Sequence, residues 1–279
     1  MKTHQIHGKI KLYNCLKYNK KGKNMNLEVQ LSVMNLKKED LDKMNITSKC
    51  TVINQCGKEG YEEYKNFKIY SYNEKGLANS RNRGLEHATE DIILLCDDDV
   101  IYDEAYEESV IKEFENNPKA DMIVFNFNNP YRKKKAIKKR KRLHIYNCLR
   151  YASYNIAFKR ESAKNIRFNT KFGPKGTYDA GGDDTIFMVD FLKNGLKIYS
   201  SSKNLGKIES NDSTWFNGYD EKYFFARGAL FTEISVPFRK ILILQHILRH
   251  KEFLDKVSFR RALKVMLEGS KDYINRFKK

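Results

Sequence analysis

The chain has 279 residues, enough for one large domain with a buried core or for one domain plus a small extension. Its 53 Lys and Arg against 35 Asp and Glu leave a net charge of +18, which implies an anionic partner: nucleic acid, an anionic membrane surface or phosphorylated substrates. Five cysteines, odd in number and without a Cys-x-x-Cys, indicate neither a disulfide framework nor a zinc ribbon and suit reduced cytosolic thiols.

Residues 1–26 read as a basic arm without sustained periodicity, and disorder is expected there. They carry no apolar segment of the signal-peptide kind, and Met25 is a candidate natural start. No run in the chain approaches the roughly 18 apolar residues of a spanning helix. The expectation is a cytoplasmic protein, peripheral at most on the inner face of the plasma membrane.

Leu27 to Met34 alternates as a first strand, and Lys37 to Lys43 is a short helix candidate. Thr51 to Ile53 and Phe67 to Tyr70 read as strands joined by a polar connection, Glu59 to Asn66. Gly76 opens a helix through Ala88, Ile92 to Cys96 is a continuous apolar strand, and Asp103 to Asn117 is an amphipathic helix stopped by Pro118. Met122 to Phe127, Tyr154 to Phe158 and Leu196 to Tyr199 read as further strands. A helix is expected from Thr185 to Asn194, stopped by Gly195. From Asp220 the pattern is helical and basic, apart from a break near Pro237. The strand–helix–strand rhythm predicts an α/β fold whose mostly parallel sheet is covered by helices on both faces. The expected division is an arm (1–26), a catalytic domain (27–219) and a C-terminal basic helical extension (220–279).

Two acidic clusters carry the chemistry. The strand at Ile92 to Cys96 runs into Asp97-Asp98-Asp99. Ligands in open α/β sheets bind outside the carboxyl ends of strands. If the strand continued, Asp97 and Asp99 would face one way and Asp98 the other. Adjacent carboxylates repel, and a hard divalent cation, Mn²⁺ or Mg²⁺, relieves that repulsion; the plainer alternative is a solvated acidic turn. The second cluster is Gly181-Gly182-Asp183-Asp184-Thr185 at a helix start, where a carboxylate could act on substrate or simply cap the helix. Together they could hold a metal on a diphosphate and remove a proton from an incoming hydroxyl. His246 and His250 stand four apart but lack a third metal ligand.

The stretch from Tyr72 through Gly76-Leu77-Ala78-Asn79-Ser80-Arg81-Asn82-Arg83-Gly84-Leu85, then Ala88 to Ile92 and Asp97 to Asp99, resembles the core of bacterial family 2 glycosyltransferases. Gly182 to Thr185 resembles their later Glu-Asp motif, and Ser213 to Phe216 with Gly218-Tyr219 is similar to a subgroup making surface polysaccharides. The resemblance spans about residues 27–235 and implies the GT-A fold, Rossmann-like, with a C-terminal helical extension. It implies inverting transfer from a nucleoside-diphosphate sugar, UDP-linked ahead of GDP-linked, to a hydroxyl of a glycan or lipid-linked acceptor. Position by position, it makes Asp99 the direct metal ligand, with Asp97 helping to hold metal or ribose. Asp184 falls on the general base, and Asp183 replaces the preceding Glu, so either could reach the acceptor. The nucleotide site falls on Met34, Asn35, Asn54, Gln55, Lys75, Gly76, Arg81, Asp97 and Asp98. Asn54 stands where many members place a base-reading Asp, and Ser32 to Asn35 lacks the usual Pro-x-Tyr-Asn ending.

Trp215, the sole tryptophan, could stack on an acceptor sugar or lie in the core. The basic run 132–142 reads as a solvated loop, an anionic-membrane contact or a nucleic-acid contact. Phe238 to Leu248 could be an interfacial helix, a core helix or a homodimer contact. The competing reading is a nucleic-acid-binding or metal-dependent nucleic-acid-processing protein. It lacks an aromatic-interleaved RNA motif and a helix-turn-helix signal, so no nucleic acid is expected.

Overall fold

The computed structural model describes residues 25–131, 135–209, 218–250, 253 and 256–278. The chain begins with strand β1 (Leu27–Met34), a one-turn helix α1 (Lys38–Leu41), β2 (Lys49–Gln55), β3 (Gly60–Tyr64) and β4 (Phe67–Tyr72). Helix α2 (Leu77–His87) leads to β5 (Ile92–Cys96) and β6 (Val100–Tyr102), then to helix α3 (Tyr106–Glu115) and β7 (Met122–Asn128). After β8 (Lys141–Leu143), α4 (Ile145–Cys148) and β9 (Ile156–Lys159) come α5 (Asp183–Lys193) and the long β10 (Ile198–Ile208). Three helices follow, α6 (Glu221–Ile234), α7 (Arg239–Arg249) and α8 (Phe259–Phe277).

All ten strands join one sheet, in the order β3-β4-β2-β1-β5-β9-β7-β10-β6, with β8 also on β10. The sheet is α/β as expected but mixed rather than mostly parallel. Strands β4, β2, β1 and β5 are parallel, and so are β7 and β10. Strand β9 inserts antiparallel between β5 and β7, while β3, β6 and β8 add antiparallel strands to β4 and β10. Hairpins need no crossover helix, and the connection expected at Glu59 to Asn66 is therefore largely strand β3.

Strand β5 is apolar at every position because both its faces are covered. Ile93 and Leu95 face one core cluster, with residues of α5 to α8; Ile92, Leu94 and Cys96 face the other, with Val110 and Phe114 of α3. Strand β1 is also buried on both sides, so its alternating polar residues need partners. Glu28 finds them: its carboxylate accepts from Thr51 Oγ1 at 2.5 Å, Thr89 N at 2.8 Å and Glu90 N at 3.1 Å. Gln30 Nε2 donates to the Arg81 carbonyl at 2.7 Å, and a Cβ at Gly84 would lie 2.1 Å from that same side chain. Gly84 therefore lets α2 lie directly on β1.

The C-terminal helices are joined the same way. A Cβ at Gly228 of α6 would fall 1.8 Å from the Met266 carbonyl, and one at Gly269 of α8 would fall 2.0 Å from the Phe225 carbonyl. Paired glycines let the two helix backbones touch, and Thr232 Oγ1 donates to Ser270 Oγ at 2.7 Å across the seam. The basic arm falls almost wholly outside the described residues, as do positions 132–134 of the basic run.

Candidate active site

The parallel strands β4, β2, β1 and β5 end at one edge, because their register pairs Met34 with Gln55, Gln55 with Tyr72, and Leu31 with Cys96. That edge gathers Met34 and Asn35 after β1, Asn54 and Gln55 at the end of β2, Lys75 and Gly76 before α2, and Asp97 to Asp99 after β5. Asn35 has a positive φ of 50°, which turns the chain away from β1, and Gln55 Nε2 donates to the Gly76 carbonyl at 3.1 Å. Lys75 is exposed and Met34 half-exposed. Asn54 has both ends of its carboxamide engaged: Oδ1 accepts from Leu36 N at 3.0 Å and Nδ2 donates to Ser71 Oγ at 3.3 Å.

The acidic triplet does not continue the strand. Val100 N donates to the Asp97 carbonyl at 3.3 Å, closing a turn through Asp98 and Asp99 into β6, which pairs back on β10. Asp98 is the most exposed of the three, while Asp97 and Asp99 are half-buried. The surrounding protein pushes the Asp98 carboxyl above its usual range, and the charge of Asp97 adds to that.

Arg81, in the second turn of α2, is buried and holds the two acidic clusters together. Its Nη1 donates to Asp183 Oδ2 at 2.5 Å and its Nη2 to Asp97 Oδ1 at 3.1 Å. The guanidinium lies over the Phe168 ring, 5.5 Å from its centre. The other oxygen of Asp97 accepts from Ser153 Oγ at 2.8 Å. Burial raises the Asp183 carboxyl to about 6; Arg81 pulls it down and Asp184 pushes it further up. A guanidinium between two carboxylates stays charged, so the arrangement is a buried ionic bridge across the site.

Asp183 and Asp184 are adjacent but differently placed. Asp183 is 3 % exposed and paired to Arg81. Asp184 is half-buried, and its Oδ1 accepts from Thr185 N at 2.6 Å. Glycines fix this helix start. Gly181 and Gly182 have φ of 70° and 103°, and a Cβ at Gly182 would lie 2.8 Å from Leu230 of α6. A Cβ at Gly173 would lie 2.7 Å from Asp183 Oδ1. The loop carrying Gly173 also approaches α2, with Leu77 N donating to the Pro174 carbonyl at 3.4 Å.

Sequence reasoning missed Ser153, Phe168 and Gly173. None belongs to a motif, and only the fold brings them to Arg81 and its partners. Trp215 and the neighbouring 213–216 segment lie outside the described residues. His246 Nε2 lies 3.2 Å from the Tyr223 hydroxyl, packed among aromatic rings.

The family model for glycosyl transferase family 2 matches residues 54–193, half of the chain, and so takes in Asn54, Arg81, both acidic clusters and the elements that carry them. The chain belongs to glycosyl transferase family 2. No curated protein sequence matched this glycosyltransferase. Among solved structures it is similar to TarS of S. aureus, residues 1–349, in complex with UDP-GlcNAc, at TM-score 0.63 and 14% identity over 90% of this chain and 81% of that one. The mannosyltransferase PcManGT from Pyrobaculum calidifontis, in complex with GDP-Man and Mn²⁺, is similar at TM-score 0.51 and 14% identity, covering 91% of this chain and 76% of that one. At those identities the likeness is one of fold, and it is the GT-A fold expected for this glycosyltransferase.

Among the described residues no three His, Cys, Asp or Glu side chains form a protein-only metal cage. The half-buried carboxylates at the strand edge that could join such a site are Asp97 and Asp99. A Mg²⁺-type ion is commonly held by one or two carboxylates together with substrate phosphates rather than by the protein alone, and this pair fits that mode.

Proposed function

We propose that this glycosyltransferase moves a sugar from a nucleoside-diphosphate sugar, UDP-linked ahead of GDP-linked, to a hydroxyl of a glycan or lipid-linked acceptor, with inversion in one displacement. The observation that carries this reading is the Arg81 bridge. It ties a carboxylate at the end of β5, Asp97, and one at the start of α5, Asp183, to one guanidinium near the carboxyl edge of the parallel strands. A displacement at an anomeric carbon needs charge control on the leaving side and a base on the attacking side, and the two clusters supply these separately.

Asp99, with Asp97 beside it, would hold Mn²⁺ or Mg²⁺. When bound, that ion stabilises negative charge on a departing diphosphate. Ser153 and Arg81 engage both oxygens of Asp97, so this carboxylate orients the site, and Asp99 is assigned as the direct donor because the family's metal-binding Asp falls there. We assign Asp184 as the general base. The acceptor oxygen forms a bond to the anomeric carbon as the bond to the phosphate oxygen breaks, and the hydroxyl proton passes to Asp184. Asp183, its neighbour, anchors the same helix start to Arg81. Asn54 holds the chain between β1 and α1 rather than offering a free carboxamide to a nucleobase. No helix among the described residues is long and apolar enough to cross a membrane. Peripheral contact with an anionic membrane, from the cytoplasmic side, belongs to this proposal.

Thermal unfolding with a panel of nucleoside diphosphates and their sugars, with and without Mn²⁺, tests the reading. A metal-dependent rise in Tm with UDP or UDP-sugars that Asp99→Ala abolishes is expected. No shift with any of them would overturn it.

A further inference from the structure

Helix α7 buries one side and exposes another. Ile243 and Ile247 are fully buried in the cluster shared with α6 and α8. Phe238, Ile241, Leu244 and Leu248 are 61, 63, 43 and 55 % exposed. Their spacing of three, three and four residues sets them in one ridge along the helix. At 100° per residue, Lys240 and Arg249 fall on the two flanks of that ridge. No Asp or Glu occurs from Ser235 to His250, and among the described residues neither Lys240 nor Arg249 is held in an ion pair. A contiguous exposed ridge of large apolar side chains marks a surface with a partner.

The chemistry of that partner follows from the flanks. The ridge needs an apolar medium, and the cations beside it need anions at the same depth. An anionic bilayer offers both, with acyl chains under a negative headgroup layer. A second copy of this chain fits poorly. A two-fold contact through the ridge would set Lys240 and Arg249 against the same cations of the other copy, each chain carrying a net charge of +18.

We propose that α7 is an interfacial helix that docks the protein on an anionic lipid bilayer, its ridge at the acyl boundary and Lys240 and Arg249 among the headgroups. The inference deepens the membrane contact included in the proposed function by assigning it to α7, and it rests on that contact but not on the transfer chemistry, because docking requires neither donor nor acceptor.

Cosedimentation of the full chain, without nucleotide, with vesicles of phosphatidylcholine alone or mixed with phosphatidylglycerol tests it. Binding to the mixed vesicles is expected, falling as salt rises and weak on phosphatidylcholine alone. Leu244→Glu with Leu248→Glu removes two side chains from the apolar phase and should weaken binding at least about a hundredfold. Lys240→Glu with Arg249→Glu should remove the preference for anionic vesicles. Both variants change exposed positions, so each should keep the wild-type Tm. Undiminished binding of the ridge variant would overturn the proposal and assign docking to another basic surface such as residues 135–142. No vesicle binding, with a concentration-dependent dimer in light scattering that the ridge substitutions break, would overturn it in favour of self-association.

Discussion

Arg81 and Asp183 meet at 2.5 Å although 102 positions separate them in the chain. Both side chains are only 4 % exposed, so neither charge has water to fall back on. Removing one member of such a pair strands the other in a medium that solvates it poorly.

Arg81→Ala is therefore expected to cost about 3–5 kcal/mol in urea unfolding, far more than an exposed arginine would. Arg81→Lys keeps the charge but loses the fork that spans Asp97 and Asp183. It should stay folded and lose about a hundredfold in donor turnover, the scale of loss expected when reacting groups are misplaced by about an ångström.

The adjacent aspartates should separate in kinetics. Asp184→Asn is expected to lower kcat by about 10²–10⁴ with nucleotide binding unchanged in thermal shift. Asp183→Asn should lower the Tm and raise the donor KM, because it frees one end of Arg81 and loosens Asp97. Equal effects of the two substitutions on kcat, with Tm untouched in both, would show that the assignment is wrong.

Asp183 also ties the site to pH. Burial lifts its carboxyl from 3.8 to about 6, with Arg81 opposing that rise. The donor kcat/KM should climb as pH rises through about 6 and level off above, once Asp183 is ionised and the bridge to Arg81 complete. Stability moves the other way. The folded chain keeps a proton that the unfolded chain has already lost, so this group's contribution declines between pH 3.8 and about 6 and is constant above. A pH–rate profile and a pH series of Tm values check both, and Asp183→Asn should flatten each.

Gly84 tests the seat of α2 on β1. Its added methyl would overlap the Gln30 side chain, at 2.1 Å. Gly84→Ala should cost about 1–3 kcal/mol through overpacking, despite alanine's better helix propensity. Gln30→Ala opens that space, so the double variant should be more stable than the sum of the single effects predicts.

The parts of this molecule visible in its sequence are those whose signals are local. The apolar run Ile92 to Cys96 announced a strand covered on both faces, and Gly76 with Leu77, Arg81 and Leu85 announced helix α2. What escaped was pairing between distant segments. Strand β9 inserts antiparallel between β5 and β7, and no local pattern in Ile156 to Lys159 gives its neighbours or direction. Strand β10 extends to Ile208 rather than ending at Tyr199, because Ser202 and Lys203 face solvent and hide the continuation. Within the site the motif-bearing aspartates and Arg81 were legible by resemblance. Which of Asp183 and Asp184 pairs with Arg81 was not, because that depends on how the start of α5 meets α2.

The glycine seam between α6 and α8 has a consequence for how the enzyme can be shortened. Leu230 of α6 lies where a side chain at Gly182 would go, directly beneath the start of α5, and α6 keeps its place because α8 lies against it. A chain trimmed before Phe259 would retain every residue assigned to donor, cation and base, yet lose the buttress under Asp183 and Asp184. The helix start that carries both aspartates is thus braced by α8, a helix to which no chemical step is assigned.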